Sequence, residues 1–247
     1  MVTRTIALGP EFDLFRDDDE ETLVGSSSHQ GAIVALYEGL GNCGRKRGLP
    51  WFVGNQLTVL IPREGRKPPL QPSPDILVHP TLAAGHHSSL DVVKDGPPTL
   101  VIEVVSPATA LDRDLNVDLP IGKPGVYAAA GIREYLVFDP LAEFLPERVR
   151  GWQLSQHGST PWLADERGHR VSDALGVSFA PQGPLLRVYD QDGSLMPLYA
   201  EAIDTIVARE REITAREREI TNRDRELAAR EREIAALQTE LRRLRGE

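Results

Sequence analysis

One carboxylate of this sequence stands where packing alone would place an apolar residue. Glu103 lies in the middle of Thr99–Val105 (TLVIEVV), a run rich in β-branched residues, bounded by Pro98 and Pro107 and of the length of a buried strand. A carboxylate buried there without a partner is expensive, so it must be protonated, paired or holding a cation. Asp75 follows Pro74 at the head of another apolar run, Ile76–Val78. If the two strands are neighbours, the acids form an oxygen pair suited to a hard divalent cation, Mg²⁺ or Mn²⁺, which takes one or two carboxylates and keeps several waters. The backbone carbonyl of Val104, beside Glu103, is a natural further ligand. Hydrolysis of a phosphodiester needs an activated water, neutralised charge on the phosphate and a stabilised leaving oxygen, and a hard cation supplies much of this. A nearby lysine could polarise the water or hold the phosphate as a point charge. Each acid also has a plainer reading, Asp75 as a turn residue and Glu103 as a paired structural carboxylate.

Other chemistry-bearing residues group less well. Asp112 and Asp114 read as loop or cap residues or, less readily, as helpers of the acid pair. His29 precedes a helix from which it could approach the two acids across the sheet. His86 and His87 lie in a polar loop without other ligand types at useful spacing. There is neither a Gly-x-Ser-x-Gly elbow nor a Walker loop.

The elements around Glu103 can be read in order. Alternation along the strand puts Val101, Glu103 and Val105 on one face and Leu100, Ile102 and Val104 on the other. The strand breaks at Ser106-Pro107, an acidic loop covers 112–118, and a short helix follows over Pro124–Ala130, ended by Gly131. Glu134–Phe138 is the next apolar strand and closes at Asp139-Pro140. Upstream, residues 11–22 are acidic and poor in core formers, a mobile arm or an edge. Ile33, Val34, Leu36, Tyr37 and Leu40 recur at helical spacing behind the cap candidates Ser26–Ser28. Gly39, Gly41 and Gly44 are expected to end that helix. The basic GRKRG, Gly44–Gly48, reads as a solvated turn or, less readily, a phosphate contact. Trp51–Val53 and Gln56–Ile61 read as strand segments around a Gly54-Asn55 hairpin or bulge. Residues 62–74, with five prolines, and 81–98 read as loops. Past Pro140 the chain alternates in short segments, such as Gly151–Leu154, Ser178–Ala180 and Leu185–Tyr189. They predict an antiparallel extension of the first sheet or a small β-rich lobe.

From Pro197 the character changes. The tail repeats Arg-Glu-Arg-Glu-Ile with apolar residues every seventh position, Ile206, Ile213, Ile220, Leu227, Ile234 and Leu241. Glu212–Arg216, Glu219–Arg223 and Glu226–Arg230 are i,i+4 pairs in the favourable order. The result is a helix roughly 60 Å long at about 1.5 Å per residue. Its second seam position is arginine until Leu237 and Leu244, which predicts a coiled coil zipped mainly at its C-terminal end, or else a solitary ion-paired helix.

Composition bounds the rest. The 247 residues carry a formal charge of −9, but from Ile206 on 11 Arg face 10 Asp and Glu, so the acidity belongs to the body. Such a body opposes tight, metal-free binding to a phosphate backbone. One cysteine, Cys43, excludes an intrachain disulfide and any multi-cysteine metal knuckle. No apolar run reaches the ~18 residues of a membrane span, and the N-terminus lacks an apolar signal region. A cytoplasmic protein is the expectation.

Taken together, Pro74-Asp75, Glu103-Val104-Val105-Ser106-Pro107, and Lys123…Tyr127…Gly131-Ile132-Arg133-Glu134-Tyr135-Leu136-Val137-Phe138-Asp139-Pro140 resemble the Uma-two family of restriction-endonuclease-like proteins, a branch of the PD-(D/E)XK nucleases. The resemblance implies an α/β fold, a mixed β-sheet core flanked by helices, over residues 28–200. An acidic arm would precede it over 1–27 and a helical tail follow over 201–247. It implies a site of Asp75 and Glu103 with Mg²⁺ or Mn²⁺, and an endonuclease acting on nucleic acid, DNA before RNA. Two departures stand out. The superfamily lysine belongs two residues after the acid, where this chain has Val105; the family instead draws its basic residue from the following helix, which points to Lys123. The stretch Asn116–Gly122 looks inserted, and Pro124 sets Lys123 at a helix start. The expected assembly is a homodimer through the tail. The competing expectation is a catalytically impaired nuclease fold acting as a scaffold, in which Lys123 would point to solvent.

Overall fold

The computed structural model describes residues 8–9, 27–65, 67–106, 114–115 and 122–245. They divide into a compact body ending at Leu198 and a separate helical unit beginning at Tyr199. Nearly all of the predicted N-terminal arm, and Asp112 with most of the acidic loop, lie outside the described residues.

The body is a mixed α/β structure built on a six-stranded sheet. Helix α1 (Ser27–Arg47) leads into β1 (Phe52–Asn55), β2 (Val59–Leu60), β3 (Ile76–His79), β4 (Leu90–Asp91), the short α2 (Val92–Asp95) and β5 (Leu100–Val104). Then come α3 (Lys123–Ala129), β6 (Glu134–Phe138), β7 (Val149–Ser155), β8 (Gly158–Pro161), β9 (Arg170–Ser172), β10 (Val177–Gln182) and β11 (Leu185–Tyr189). The main sheet runs β1-β3-β5-β6-β7-β8. Its one parallel pair is β5 with β6, joined through α3, with Glu103 opposite Val137; the other pairs are antiparallel. Both predictions for the region past Pro140 hold, since β7 and β8 extend the main sheet while β9–β11 form a three-stranded sheet of their own.

The alternation read along β5 sorts its side chains between two cores. Val101 and Val105 pack with Tyr127, Tyr135, Leu90 and Leu8 on the face under α3. Leu100, Ile102 and Val104 pack on the opposite face with Ile33, Leu36 and Leu40 of α1 and with Phe179, Leu186 and Val188 of the smaller sheet. Two residues of the Glu-Tyr…Asp-Pro segment brace this frame. Buried Glu134 accepts from Ser172 Oγ and from the Ala174 backbone N–H, tying β6 to the second sheet. Asp139 accepts from the backbone N–H groups of Leu141, Phe144 and Leu145, closing the turn after β6.

Four local expectations are corrected. Helix α1 does not stop at its glycines but runs through them to Arg47, and the chain leaves the helix at Gly48 with φ +65°. The reason is close packing: a Cβ on Gly39 would lie 2.8 Å from Val188 Cγ2, so β11 approaches the helix where a side chain is missing. The basic cluster is therefore the last helical turn, and acids of this chain take it up. Lys46 Nζ lies 2.6 Å from Asp190 and 2.9 Å from Asp192, while Arg47 pairs with Asp190 and donates to the Leu175 and Gly176 carbonyls. Gly54-Asn55 is not a hairpin, since β1 pairs with β3 whereas β2 pairs with β4. The segment 81–98 is not all loop: it carries β4 and α2, whose Leu90 and Val92 are buried.

The second unit is α4 (Tyr199–Arg245), 47 residues of helix without a buried side chain. No helix among the described residues is long and apolar enough to cross a membrane.

Candidate active site

Strand pairing brings the two acids together from distant parts of the sequence. Strands β3 and β5 run antiparallel with Ile76 opposite Ile102, so Asp75, just before β3, falls level with Glu103. Asp75 Oδ2 accepts from the Val104 backbone N–H at 2.8 Å, clamping the head of one strand to the end of the other. The Val104 carbonyl points to the opposite partner: His29 Nε2–H, from the first turn of α1, donates to it at 3.0 Å. The same nitrogen lies 3.7 Å from Asp75 Oδ2. His29, read from sequence as preceding the helix and only able to approach the acids, lies within the first turn of α1 and does reach Asp75.

On the other side, the start of α3 faces Glu103. Lys123 and Tyr127 are four residues apart, hence on one face of the helix. They grip the two oxygens of a single carboxylate: Lys123 Nζ lies 3.2 Å from Glu103 Oε2, and Tyr127 Oη donates to Glu103 Oε1 at 2.8 Å. Lys123 Nζ also lies 3.2 Å from Asp114 Oδ1. Its side chain is 6% exposed, so it points inward and not to solvent. Gly122 precedes α3 in extended conformation and Pro124 is its first-turn proline, a start that fixes where Lys123 emerges. Asp114 is anchored through its carbonyl, which accepts from Tyr135 Oη at 3.1 Å, and Tyr135 packs against Tyr127 and Trp152.

Three carboxyls therefore gather around one lysine, and the protonation of Glu103 and Asp75 is displaced. Burial pushes Glu103 up to about 8; Lys123 pulls it back, and the charges of Asp114 and Asp75 add to the rise. Asp75 is raised too, chiefly by burial, against the Val104 N–H, His29 and Lys123, which favour its charged form. Buried acid in excess of buried base, all of it hard oxygen, is a donor set that fits a divalent cation. Among the described residues no three His, Cys, Asp or Glu side chains form a ready cage. That suits a water-retaining ion such as Mg²⁺, which is held through one or two carboxylates and not by an all-protein shell.

Of the residues singled out from sequence, the fold gathers Asp75, Glu103, the Val104 backbone and Lys123 into one place. It leaves His86 and His87 elsewhere, with His87 donating to the Ala83 carbonyl and stacking edge-on with Phe52. Two members of the site, Tyr127 and Asp114, are less legible in the sequence. Tyr127 was marked by its spacing from Lys123, had that spacing been applied to the helix face. Asp114 carries no local sign, because its position is set by Tyr135, some twenty residues away.

A mixed sheet with a buried acid at the head of one strand, a second near the end of its antiparallel neighbour and a lysine delivered by the next helix is the arrangement that the sequence resemblance implies for a nuclease-like fold. The chain belongs to the Uma2 family, described as "Putative restriction endonuclease", whose model matches residues 12–187. Membership gives it a nuclease-like function. Among solved structures that resemble it is one described as a "putative nuclease" from Anabaena variabilis, at 14% identity and a TM-score of 0.39, covering 56% of this chain and 68% of that one. No curated protein matches the chain.

Proposed function

We propose that this protein is a metal-dependent endonuclease that hydrolyses phosphodiester bonds in nucleic acid, with DNA as its substrate. The observation that carries the reading is the buried set of Asp75, Glu103 and Asp114 around Lys123, in a chain of a restriction-endonuclease family. Asp75 and Glu103, with the Val104 carbonyl, would hold Mg²⁺ or Mn²⁺; bound there, the ion would polarise the phosphate and acidify a water.

The chain's own groups do the rest. Tyr127 and Lys123 fix the rotamer of Glu103 by holding one oxygen each. Asp75 is fixed by the Val104 N–H, and His29 by the Val104 carbonyl, so the acid pair is set before any ligand arrives. Lys123 supplies a positive charge that can turn from Glu103 and Asp114 to the phosphate or its attacking water. Asp114 is the resting partner that keeps this ammonium aimed inward.

The test is a plasmid-nicking and oligonucleotide-cleavage assay on DNA and RNA with Mg²⁺, with Mn²⁺ and with EDTA, run beside Glu103→Gln. Cleavage of DNA that needs the cation and is lost in the variant supports the reading. Wild-type protein that cleaves nothing under any cation would leave a nuclease fold acting as a scaffold.

A further inference from the structure

The catalytic reading makes no use of α4. Its apolar residues Ile206, Ile213, Ile220, Leu227, Ile234 and Leu241 form a stripe in which each is 49–59% exposed. A helix alone in water has nothing with which to cover such a stripe. Three positions further on in each heptad stand Arg209, Arg216, Arg223 and Arg230, then Leu237 and Leu244. Two of these arginines are drawn back along their own helix: Arg216 lies 2.6 Å from Glu212 and Arg223 2.7 Å from Glu219. At Arg216 and Arg223 this second column thus carries a charge already paired on its own helix, and its arginines have methylene stems able to lie along an apolar neighbour.

The order of residues in the two columns selects the partner and its direction. Two parallel copies in register would set like against like, so four layers would oppose arginine to arginine. Reversing one copy makes each position of the first column face the second column of the other. Ile206 then faces the partner's Leu244 and Ile213 the partner's Leu237, giving wholly apolar layers at both ends. Between them Ile220 faces the partner's Arg230, Leu227 the partner's Arg223, Ile234 the partner's Arg216 and Leu241 the partner's Arg209. One register satisfies every layer, and no arginine meets arginine. The stripe is complementary to its own reverse, which an unrelated partner has no cause to match. We propose that α4 is a docking surface for a second copy of this chain, paired antiparallel in this register as a two-stranded coiled coil.

Single cysteines in the full-length chain test both partner and direction. The native Cys43 does not interfere, since it is buried and burial pushes its thiol up to about 11. Ile213→Cys and Leu237→Cys are made separately, then oxidised mildly, each alone and as an equilibrated mixture. The expected result is a cross-linked dimer from the mixture, several-fold above anything formed by either variant alone. Light scattering at tens of micromolar should give twice the 27.2 kDa chain mass. Disulfides formed by either variant alone would mean parallel pairing and overturn the proposal. So would a monomeric mass, which would make α4 a solitary ion-paired helix, a mass above the dimer, or a mixture that fails to cross-link.

Discussion

Burial holds the Glu103 carboxyl up to about 8 beside two further acids, and this makes cation-free protein sensitive to pH in a definite direction. A raised carboxyl binds more protons folded than unfolded, so its stabilising contribution is complete below its ordinary value of about 4.5 and is lost as pH climbs towards 8. Asp75 and Glu134 are raised as well and act in the same sense, whereas His79 is lowered by burial and acts oppositely below about 6.5. Comparing Glu103→Gln with wild type isolates the one group. In EDTA, wild type should lose several degrees of melting temperature between pH 6.5 and 8.5, and the variant should lose clearly less; equal slopes would reject the raised carboxyl. Adding Mg²⁺ or Mn²⁺ at pH 8 should restore the wild type and leave Glu103→Gln unmoved, because only the former offers the paired acids. Lys123→Ala separates the lysine from the ion: turnover should vanish while the cation still raises the melting point. The variant takes the ammonium away from Glu103 and Asp114, so it should also cost about 3–5 kcal/mol at pH 8, easing as acid neutralises Glu103. A Lys123→Ala protein with undiminished cleavage would move the role elsewhere. Asp75, Glu103 and Lys123 were readable because each breaks a local pattern or joins a motif. Asp114 breaks none, since a loop aspartate looks like any other until Tyr135 ties it down.

At the scale of elements, what could be read was what periodicity controls. The strands Leu100–Val104 and Glu134–Phe138, the helix between them and its end at Gly131 follow from alternation, β-branching and a glycine at φ +84°. The misreadings share a different cause, because each needed knowledge of what lies opposite. Gly39 looks like a helix stop to anyone who cannot see Val188, and GRKRG looks solvated until Asp190 and Asp192 arrive from 143–146 residues away. Leu90 and Val92 sit in a polar segment too short to show a period, and are buried because the fold packs them into the core under α3, where Leu90 also pairs with β2. The close approach at Gly39 yields a direct expectation. Gly39→Val must displace β11 from α1 and, by the usual cost of overpacking, should destabilise the body by about 1–3 kcal/mol. Gly39→Ala should do so less, despite the better helix propensity of alanine. A stabilised Gly39→Ala in chemical denaturation would mean that the helix and β11 tolerate the methyl, and that the glycine serves no packing purpose.

For the whole molecule, the division at Leu198 separates two kinds of stability. The body has two hydrophobic cores on opposite faces of one sheet and holds its acids through internal partners, so it contains what it needs to fold. The tail buries nothing of itself, and its ion pairs are exposed ones of the kind that contribute a few tenths of a kcal/mol each. If α4 pairs as proposed, its persistence as a helix is concentration-dependent in a way the body is not. Two transitions are expected in full-length protein followed by far-ultraviolet circular dichroism. One, carrying much of the helical signal, should rise in temperature by several degrees as the chain goes from about 1 to 50 micromolar. The other, followed by tryptophan fluorescence, should stay within about a degree over that range, because Trp51, Trp152 and Trp162 all lie in the body. Truncation after Asp204 should remove the first transition and leave the second where it was. A single transition that both probes report at the same temperature, moving with concentration, would instead mean that the body's own folding is bound up with assembly, and the independence argued from its two cores would fall.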